Sequence, residues 1–360
     1  MHLLFLLTIC FISLIINSQH FDTNKKRKYE VIFIGFALFL FAALRDPSVG
    51  TDVQRYCDNY TNIEGMTFSK ILSSQNQYRD PVFTCFMLAL TFINNDPQFM
   101  LAVVGAWVAF CFSYFVYHSR GNVLLTYLLF ICLRIYSFTL TGLRQAMAMG
   151  FIWLAFVSLY KSKKIRFIVF VMLGAMFHAS AISFIIALAL MFIKSDKFVL
   201  LTAIAVTIIN TFSGDRIVYY LSNVLFSDRF EDYVDIAMES GTSFSTTFIL
   251  YVLMFVFIII YLSQVKKNDR LAAGRFNIVC IGMMLSFIAQ GFPNMFRIAY
   301  YFICNLFPLF TETLSTAFIK QRDRTLVNFL MATLLIAQYV ILGTSGGTEN
   351  YIFFWQGINY

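Results

Sequence analysis

The sequence predicts an all-α polytopic membrane protein, and three observations carry that reading. Of its 360 residues 59% are hydrophobic and only 13% charged, against roughly 25% charged in a soluble domain. Mean hydropathy is +0.73. The apolar stretches are continuous rather than alternating, which suits helices in lipid and not the strands of a barrel. With only 5 prolines in the chain, little interrupts them. We expect one integral membrane domain over residues 1–360.

The apolar runs fall at about 3–16, 30–44, 82–93, 99–117, 122–139, 144–160, 165–177, 180–193, 198–212, 245–263, 276–290, 295–312 and 325–342. The first has no basic leader and no small-residue cleavage site, so it reads as a membrane helix and not a removed signal. Several are shorter than the ~20 residues that span a typical bilayer. Basic residues cluster in short connections: Lys25 to Lys28, Lys161 to Arg166, Lys194 to Lys197, Lys266 to Arg270 and Lys320 to Arg324. Short basic connections face the cytoplasm, and they account for most of the net charge of +8. That distribution argues against nucleic acid as a partner. The two long connections are acidic by comparison. Residues 45–80 hold four basic and five acidic side chains, and residues 213–244 hold two and six. Both should lie outside the cytoplasm, 45–80 with short amphipathic helices.

The alternation of sides is regular before residue 80 and after residue 144. Three apolar runs lie between two outside points, and an odd number of crossings cannot join them. One run must be re-entrant or split. Run 82–93 would be only about 18 Å long, and its rival 122–139 is interrupted by Arg134. The expectation is about twelve crossings plus one partial segment, with both termini outside.

Seven cysteines offer no CxxC and no metal-type spacing, so we expect packing thiols. There is no phosphate-binding loop, dinucleotide fingerprint or nucleophile elbow. No cofactor and no metal site are expected, and the sequence leaves a divalent-metal requirement open.

Four polar sequences interrupt the oily chain, all on the side opposite the basic connections. The first is Leu44-Arg45-Asp46-Pro47-Ser48-Val49-Gly50-Thr51-Asp52. Here Thr51 and Gln54 have capping-box spacing, and Asp52, Arg55, Tyr56 and Tyr60 would share or adjoin one helical face. Asp52 suits a base for a sugar hydroxyl, although a carboxylate in a first helical turn is also stabilising without any function. The second, Leu143-Arg144-Gln145, opens a helix with a guanidinium fork suited to phosphate; an arginine there can also snorkel to headgroups. The third, Phe177-His178-Ala179-Ser180, places an acid or base at a hinge between two short runs. The fourth, Phe296-Arg297, is followed by Tyr300 and Tyr301, which also fit an interfacial aromatic belt.

Outward arginines, a histidine and a carboxylate fit a lipid-diphosphate-linked sugar. The head lies at the interface, the tail in lipid, and the departing diphosphate needs cations. The expected roles are catalysis for Asp52 and His178, diphosphate binding for Arg144, Arg297 and Arg45, and substrate binding for Tyr56, Tyr60, Asp80, Gln145, Tyr300 and Tyr301. A flippase for lipid-linked glycans would instead need polar groups at mid-membrane. A membrane O-acyltransferase modifying the glycan is a third reading.

The ordered set Leu44-Arg45, Val49-Gly50-Thr51-Asp52, Tyr56, Tyr60, then Tyr78-Arg79-Asp80-Pro81-Val82-Phe83, Gly142-Leu143-Arg144-Gln145-Ala146-Met147-Ala148, His178-Ala179-Ser180-Ala181 and Arg297-Ile298-Ala299-Tyr300-Tyr301-Phe302 resembles the EpsG family of bacterial membrane proteins. The family often has glutamate where this chain has Asp80, one methylene longer. Its members resemble Wzy-type polymerases of exopolysaccharide, capsule or O-antigen clusters. The resemblance implies a multi-pass protein of the bacterial cytoplasmic membrane that joins undecaprenyl-diphosphate-linked repeat units on the extracytoplasmic face. It also implies a GT-C-like helical architecture, and a flippase and a chain-length regulator as companions.

Overall fold

The computed structural model describes residues 2–73, 81–193, 196–212, 245–268, 271–290, 295–318, 320–343, 347–348 and 350–356. Asp80, the acidic connection 213–244 and Pro293-Asn294 lie outside the described residues. The described residues are helical, with no strand; a single antiparallel bridge joins Arg45 to Phe353. The chain resolves into two compact units, residues 1–182 with 320–360, and residues 183–319.

The first unit contains α1 (His2–Ser18), α2 (Thr23–Ala43), α3 (Val53–Asn62), α4 (Phe68–Ser73), α5 (Pro81–Thr91), α6 (Pro97–His118), α7 (Val123–Cys132), α8 (Ile135–Thr141), α9 (Leu143–Tyr160) and α10 (Lys164–Phe177). A 3-10 segment, Ala179–Ile185, leads out of α10. The second unit holds α11 (Ile186–Phe192), α12 (Asp196–Phe212), α13 (Thr246–Asn268), α14 (Ala272–Ile288), α15 (Phe296–Ile303) and α16 (Leu306–Ala317). The chain then returns to the first unit through α17 (Gln321–Leu342).

Among the described residues four helices are long and apolar enough to cross a membrane: Pro97–His118, Leu143–Tyr160, Thr246–Lys267 and Gln321–Leu342. The pair α7 and α8 makes a fifth if it is one span bent by 57°. Further apolar helices, among them α1, α5 and α14, have 10–17 residues. This is fewer full-length spans than the twelve or so the apolar runs suggest. The reason is length: at 1.5 Å per residue these shorter helices reach at most about 26 Å.

Within the first unit the polar contacts define two ends. Arg27, near the start of α2, donates to the carbonyls of Tyr117, Ser119 and Gly121 at the end of α6. These are C-terminal carbonyls that no residue of their own helix can satisfy. Lys161, just past α9, bonds to Tyr114 and His118 of α6. Lys25 to Lys28, His118 and Lys161 to Arg166 thus gather at one end, the basic end. At the opposite end Gln98, in the first turn of α6, donates to the carbonyls of Ala43 and Arg45 at the end of α2. Between the ends the core is aromatic, with Phe112 stacked on Phe130 at 3.8 Å and edge-on to Trp153 at 5.1 Å.

The break in run 122–139 falls at Leu133-Arg134. Arg134 adopts φ +68°, the left-handed region that costs a side-chain-bearing residue about 1–2 kcal/mol. Its Nη2 donates to the Leu342 carbonyl at the end of α17. Tyr127 and Tyr136, on either side of the break, donate to the carbonyls of Val31 and Leu38. The two halves therefore follow α2 in the same direction, and Arg134 lies at intermediate depth between the ends.

The capping box expected at Thr51 and Gln54 does not form. Asp52 is the residue before α3, with no side-chain capping bond, and Gln54 Nε2 donates to Asp58 instead. Tertiary contact decides this turn. The Gly50 N–H donates to the Gly347 carbonyl at 2.9 Å, and Gly347 packs against Thr51 so closely that a Cβ would lie 2.8 Å from the Thr51 nitrogen. Residues 351–356 continue along the turn after α2. Asp46 N–H donates to the Ile352 carbonyl, Phe354 N–H to the Leu44 carbonyl, and Tyr351 Oη to the Phe41 carbonyl.

The second unit is also polarised. Lys266 at the end of α13 pairs with Asp196 at the start of α12, at 2.5 Å. Asn277, near the start of α14, is fully buried and donates to the carbonyls of Leu190 and Ile193 at the end of α11. At the other end of α14, Gln290 accepts from the Ser245 N–H that precedes α13.

Candidate functional site

Three of the four polar sequences converge within the first unit. Gly50 carries the turn after α2 into contact with α8. At φ +112°, it sits where a Cβ would be 3.2 Å from Thr141 Oγ1 and 3.3 Å from the Leu140 carbonyl. A glycine is required there both by conformation and by space. Gly142 then ends α8 and starts α9, so Arg144 opens α9 beside this turn. The Arg144 Nε donates to Tyr56 Oη at 3.2 Å, and its guanidinium lies 5.9 Å from the centre of the Tyr56 ring. Tyr56 thus orients the fork by a hydrogen bond and a cation–π contact.

His178 is brought to the same end by helix pairing. Gly174 of α10 lies against Ala148 of α9, where a Cβ would approach the Ala148 carbonyl to 3.3 Å. The two helices run antiparallel, so one further turn brings His178 level with Arg144. His178 caps α10 in extended conformation, and its Nδ1 lies 2.7 Å from Ser180 Oγ. An aromatic chain fills the space between: Tyr56 packs on Phe83, Phe83 on Phe86, Phe86 on Phe177 and Phe177 on Phe151. Gln145, beside Arg144, is buried.

Arg45 is the least expected member. It is 2% exposed, covered by residues 351–353. Among the described residues none gives its guanidinium a carboxylate or a hydrogen-bond acceptor. The neighbouring carboxylate of Asp46 accepts from Ser48 N–H instead. Its surroundings are Tyr136, Tyr351 and Cys57, and burial lowers its pKa from the ordinary arginine value to about 10. It therefore stays charged at neutral pH, a cation in a low-dielectric place with no carboxylate paired to it among the described residues.

The remaining expected residues fall differently. Asp52 is exposed at the start of α3. Tyr60 is fully buried, its hydroxyl donating to the Asn94 carbonyl at 2.6 Å, and burial pushes its pKa up to about 12. That is a bond holding α3 to the turn after α5, not a surface for a ligand. Cys57, buried beneath Arg45, has its thiol pushed up to about 11 by burial, the opposite of a reactive thiolate.

Arg297 belongs to the second unit and is described there alone. Gly282 of α14 abuts Phe302 and Ile303 at the end of α15. The start of α15 therefore lies near Gln290, at the end of its unit opposite Lys266. Arg297 is half-buried, the Phe296 and Tyr300 rings lie 5.3 Å apart beside it, and Tyr301 is 1% exposed.

Sequence reading missed one pair of charges. Arg275 and Glu312, both buried, meet at 2.6 Å between α14 and α16, and Asn305 donates to the Arg275 carbonyl. The available signal was one lone positive and one lone negative residue in two separate apolar stretches, a pattern that buried pairs produce. Among the described residues no group of three or more His, Cys, Asp or Glu could hold a metal ion.

Comparison with curated proteins and with solved structures gives no match. At the level of families the outcome is different: the model of the EpsG family matches residues 28–355, nearly the whole chain, from the basic start of α2 to the segment that covers Arg45, and the protein belongs to that family.

Proposed function

We propose that this membrane protein is an extracytoplasmic polymerase of polysaccharide biosynthesis, joining oligosaccharide repeat units carried on polyprenyl diphosphate. One observation carries the reading: Arg45, Tyr56, Arg144 and His178 gather at the end of the first unit opposite its basic end. The positive-inside rule assigns the basic end to the cytoplasm, so the gathered end faces outward. In this reading the shorter helices complete about twelve crossings in a GT-C-like arrangement, with α5 as the partial segment.

The reaction follows from the groups. An acceptor sugar hydroxyl attacks the anomeric carbon of the donor, the bond from that carbon to the diphosphate oxygen breaks, and polyprenyl diphosphate leaves as the anion. Asp52 takes the hydroxyl proton, and His178 lies at the same end as a second proton-handling group. Arg144, oriented by Tyr56, and Arg45 stabilise the charge that grows on the diphosphate. Gln145 and Asp80 contact the glycan, and Arg297, Tyr300 and Tyr301 are anion- and glycan-binding candidates of the second unit taken by itself.

The test is polymerisation of a purified lipid-linked repeat by the purified protein. Wild type should build chains, and Arg144→Ala should lower the rate about 10- to 100-fold, the loss expected for a hydrogen bond to a charged group. In cells, Arg144→Ala should leave single repeat units outside. Units retained in the cytoplasm would instead identify a flippase, and full-length polymer lacking only acyl groups would identify an acyltransferase.

A further inference from the structure

We propose that the basic end of the first unit carries a binding site for an anionic glycerophospholipid, set between α6, α9 and α10. A cavity of about 300 Å³ opens there, and its lining includes Phe110, Tyr114, Phe170, Lys161, Lys163 and Arg166. That is the lower end of the range for ligand pockets. The polymerase reading does not use this cavity, which lies at the other end of the unit from Arg144.

The turn between α9 and α10 fixes the cations. Lys163 N–H donates to the Ser158 carbonyl and Ser162 N–H to the Leu159 carbonyl, with Ser162 at φ +55°. This is the Schellman closure of a helix, here built with serine where glycine is usual. It holds Lys161 and Lys163 on either side of a rigid corner. Lys161 is committed to the protein. The His118 Nδ1 faces the Tyr114 carbonyl, an acceptor, so Nδ1 bears the proton and Nε2 accepts from Lys161 Nζ at 2.8 Å. Lys163 and Arg166 are exposed, and among the described residues neither pairs with a carboxylate.

The cavity is amphipathic along the membrane normal. The cations stand at its mouth, at the basic end. Phe110 lies one helical turn deeper than Tyr114, and Phe170 one turn deeper than Arg166. Phe110 is 61% exposed, which is costly in water and natural against an acyl chain. A free phosphate would use the cations and leave this wall unoccupied. A lipid fills both parts, its phosphate on Lys163 and Arg166 and its acyl chain on the two phenylalanines. Basic pockets between helices at the cytoplasmic headgroups are the places where anionic lipid heads are held. The site depends on the basic end lying at those headgroups, and not on polymerase activity.

The full-length protein, equilibrated in micelles with equal phosphatidylglycerol and phosphatidylcholine of matched chains, should retain phosphatidylglycerol selectively in native mass spectrometry. The double variant Lys163→Gln/Arg166→Gln should bind it about thirtyfold less tightly, taking ~1 kcal/mol per cation at the membrane surface. Phe110→Ala should weaken retention of both lipids while leaving the preference between them. Phosphatidylglycerol should also raise the melting temperature of wild type and not of the double variant, whose melting in phosphatidylcholine should match wild type. Equal retention of the two lipids, or unchanged retention by the double variant, would overturn the site. Displacement of phosphatidylglycerol by an equal concentration of tail-less glycerol phosphate would overturn the lipid as its occupant, in favour of a free phosphate ester.

Discussion

Arg45 in the first unit and Arg275 in the second are equally buried, each 2% exposed, yet they are treated in opposite ways. Arg275 has Glu312 at 2.6 Å. Both charges are neutralised within the unit, and the pair pins α14 to α16. Arg45 has tyrosines and a cysteine around it, and its pKa falls to about 10 because burial is only weakly offset. A buried charge with a partner is a structural device. One without a partner is a standing cost that folding accepts for another purpose. The proposed purpose is a diphosphate, which would supply the missing negative charge only when substrate is bound.

The largest effect should come from breaking the paired arginine. Arg275→Met leaves Glu312 buried alone and should destabilise the protein by about 3–5 kcal/mol, seen as a large fall in melting temperature in detergent. Arg275→Met/Glu312→Leu should recover most of it. The unpaired arginine should respond in reverse. Arg45→Met should lower polymerisation about 10- to 100-fold with melting unchanged or raised. If it destabilises as much as Arg275→Met, the two arginines are alike and the contrast fails.

Smaller changes sharpen the same division between site and scaffold. Tyr56→Phe removes one bond to Arg144 and should slow chain growth a few-fold at constant melting temperature. Tyr60→Phe removes the bond to the Asn94 carbonyl and should lower stability by about 1 kcal/mol with activity per folded molecule retained.

A pH dependence tests the burial of Arg45 directly. The folded-state pKa of Arg45, about 10, lies below its ordinary value, so the unfolded chain holds that proton more tightly. The penalty is complete below about pH 10 and shrinks as pH climbs toward the ordinary value. Wild type should therefore gain stability relative to Arg45→Met as pH is raised from about 9 to about 11. A constant difference across that window would mean that Arg45 is not desolvated.

Much of this was legible in the sequence for a simple reason: a membrane imposes one-dimensional rules. Run length, continuity and the placement of lysines gave the helical class. They also brought Arg45, Arg144 and His178 to one end, and they marked run 122–139 as interrupted at Arg134, where the helix breaks. The rest depends on partners distant in sequence. Nothing local to Thr51 reveals that Gly347 will occupy the space beside it. Tyr60 has helical spacing from Tyr56, but only the fold shows that one reaches Arg144 and the other a backbone carbonyl. Arg275 and Glu312 are 37 positions apart, beyond any spacing rule. The number of full crossings does not follow from the apolar runs alone, because an apolar run in sequence does not fix how long its helix will be.

The segment that covers Arg45 has a consequence in time. Arg45 is made and inserted some 300 residues before Gly347 to Phe354 exist to close over it. Until then Leu44 and Asp46 lack the backbone partners that Phe354 and Ile352 supply, and Arg45 becomes a buried cation only when that stretch docks. Closure over Arg45 therefore comes after the helices between them have been made, and a chain cut short before Gly347 would keep those helices and lose the desolvated charge that the proposed chemistry uses.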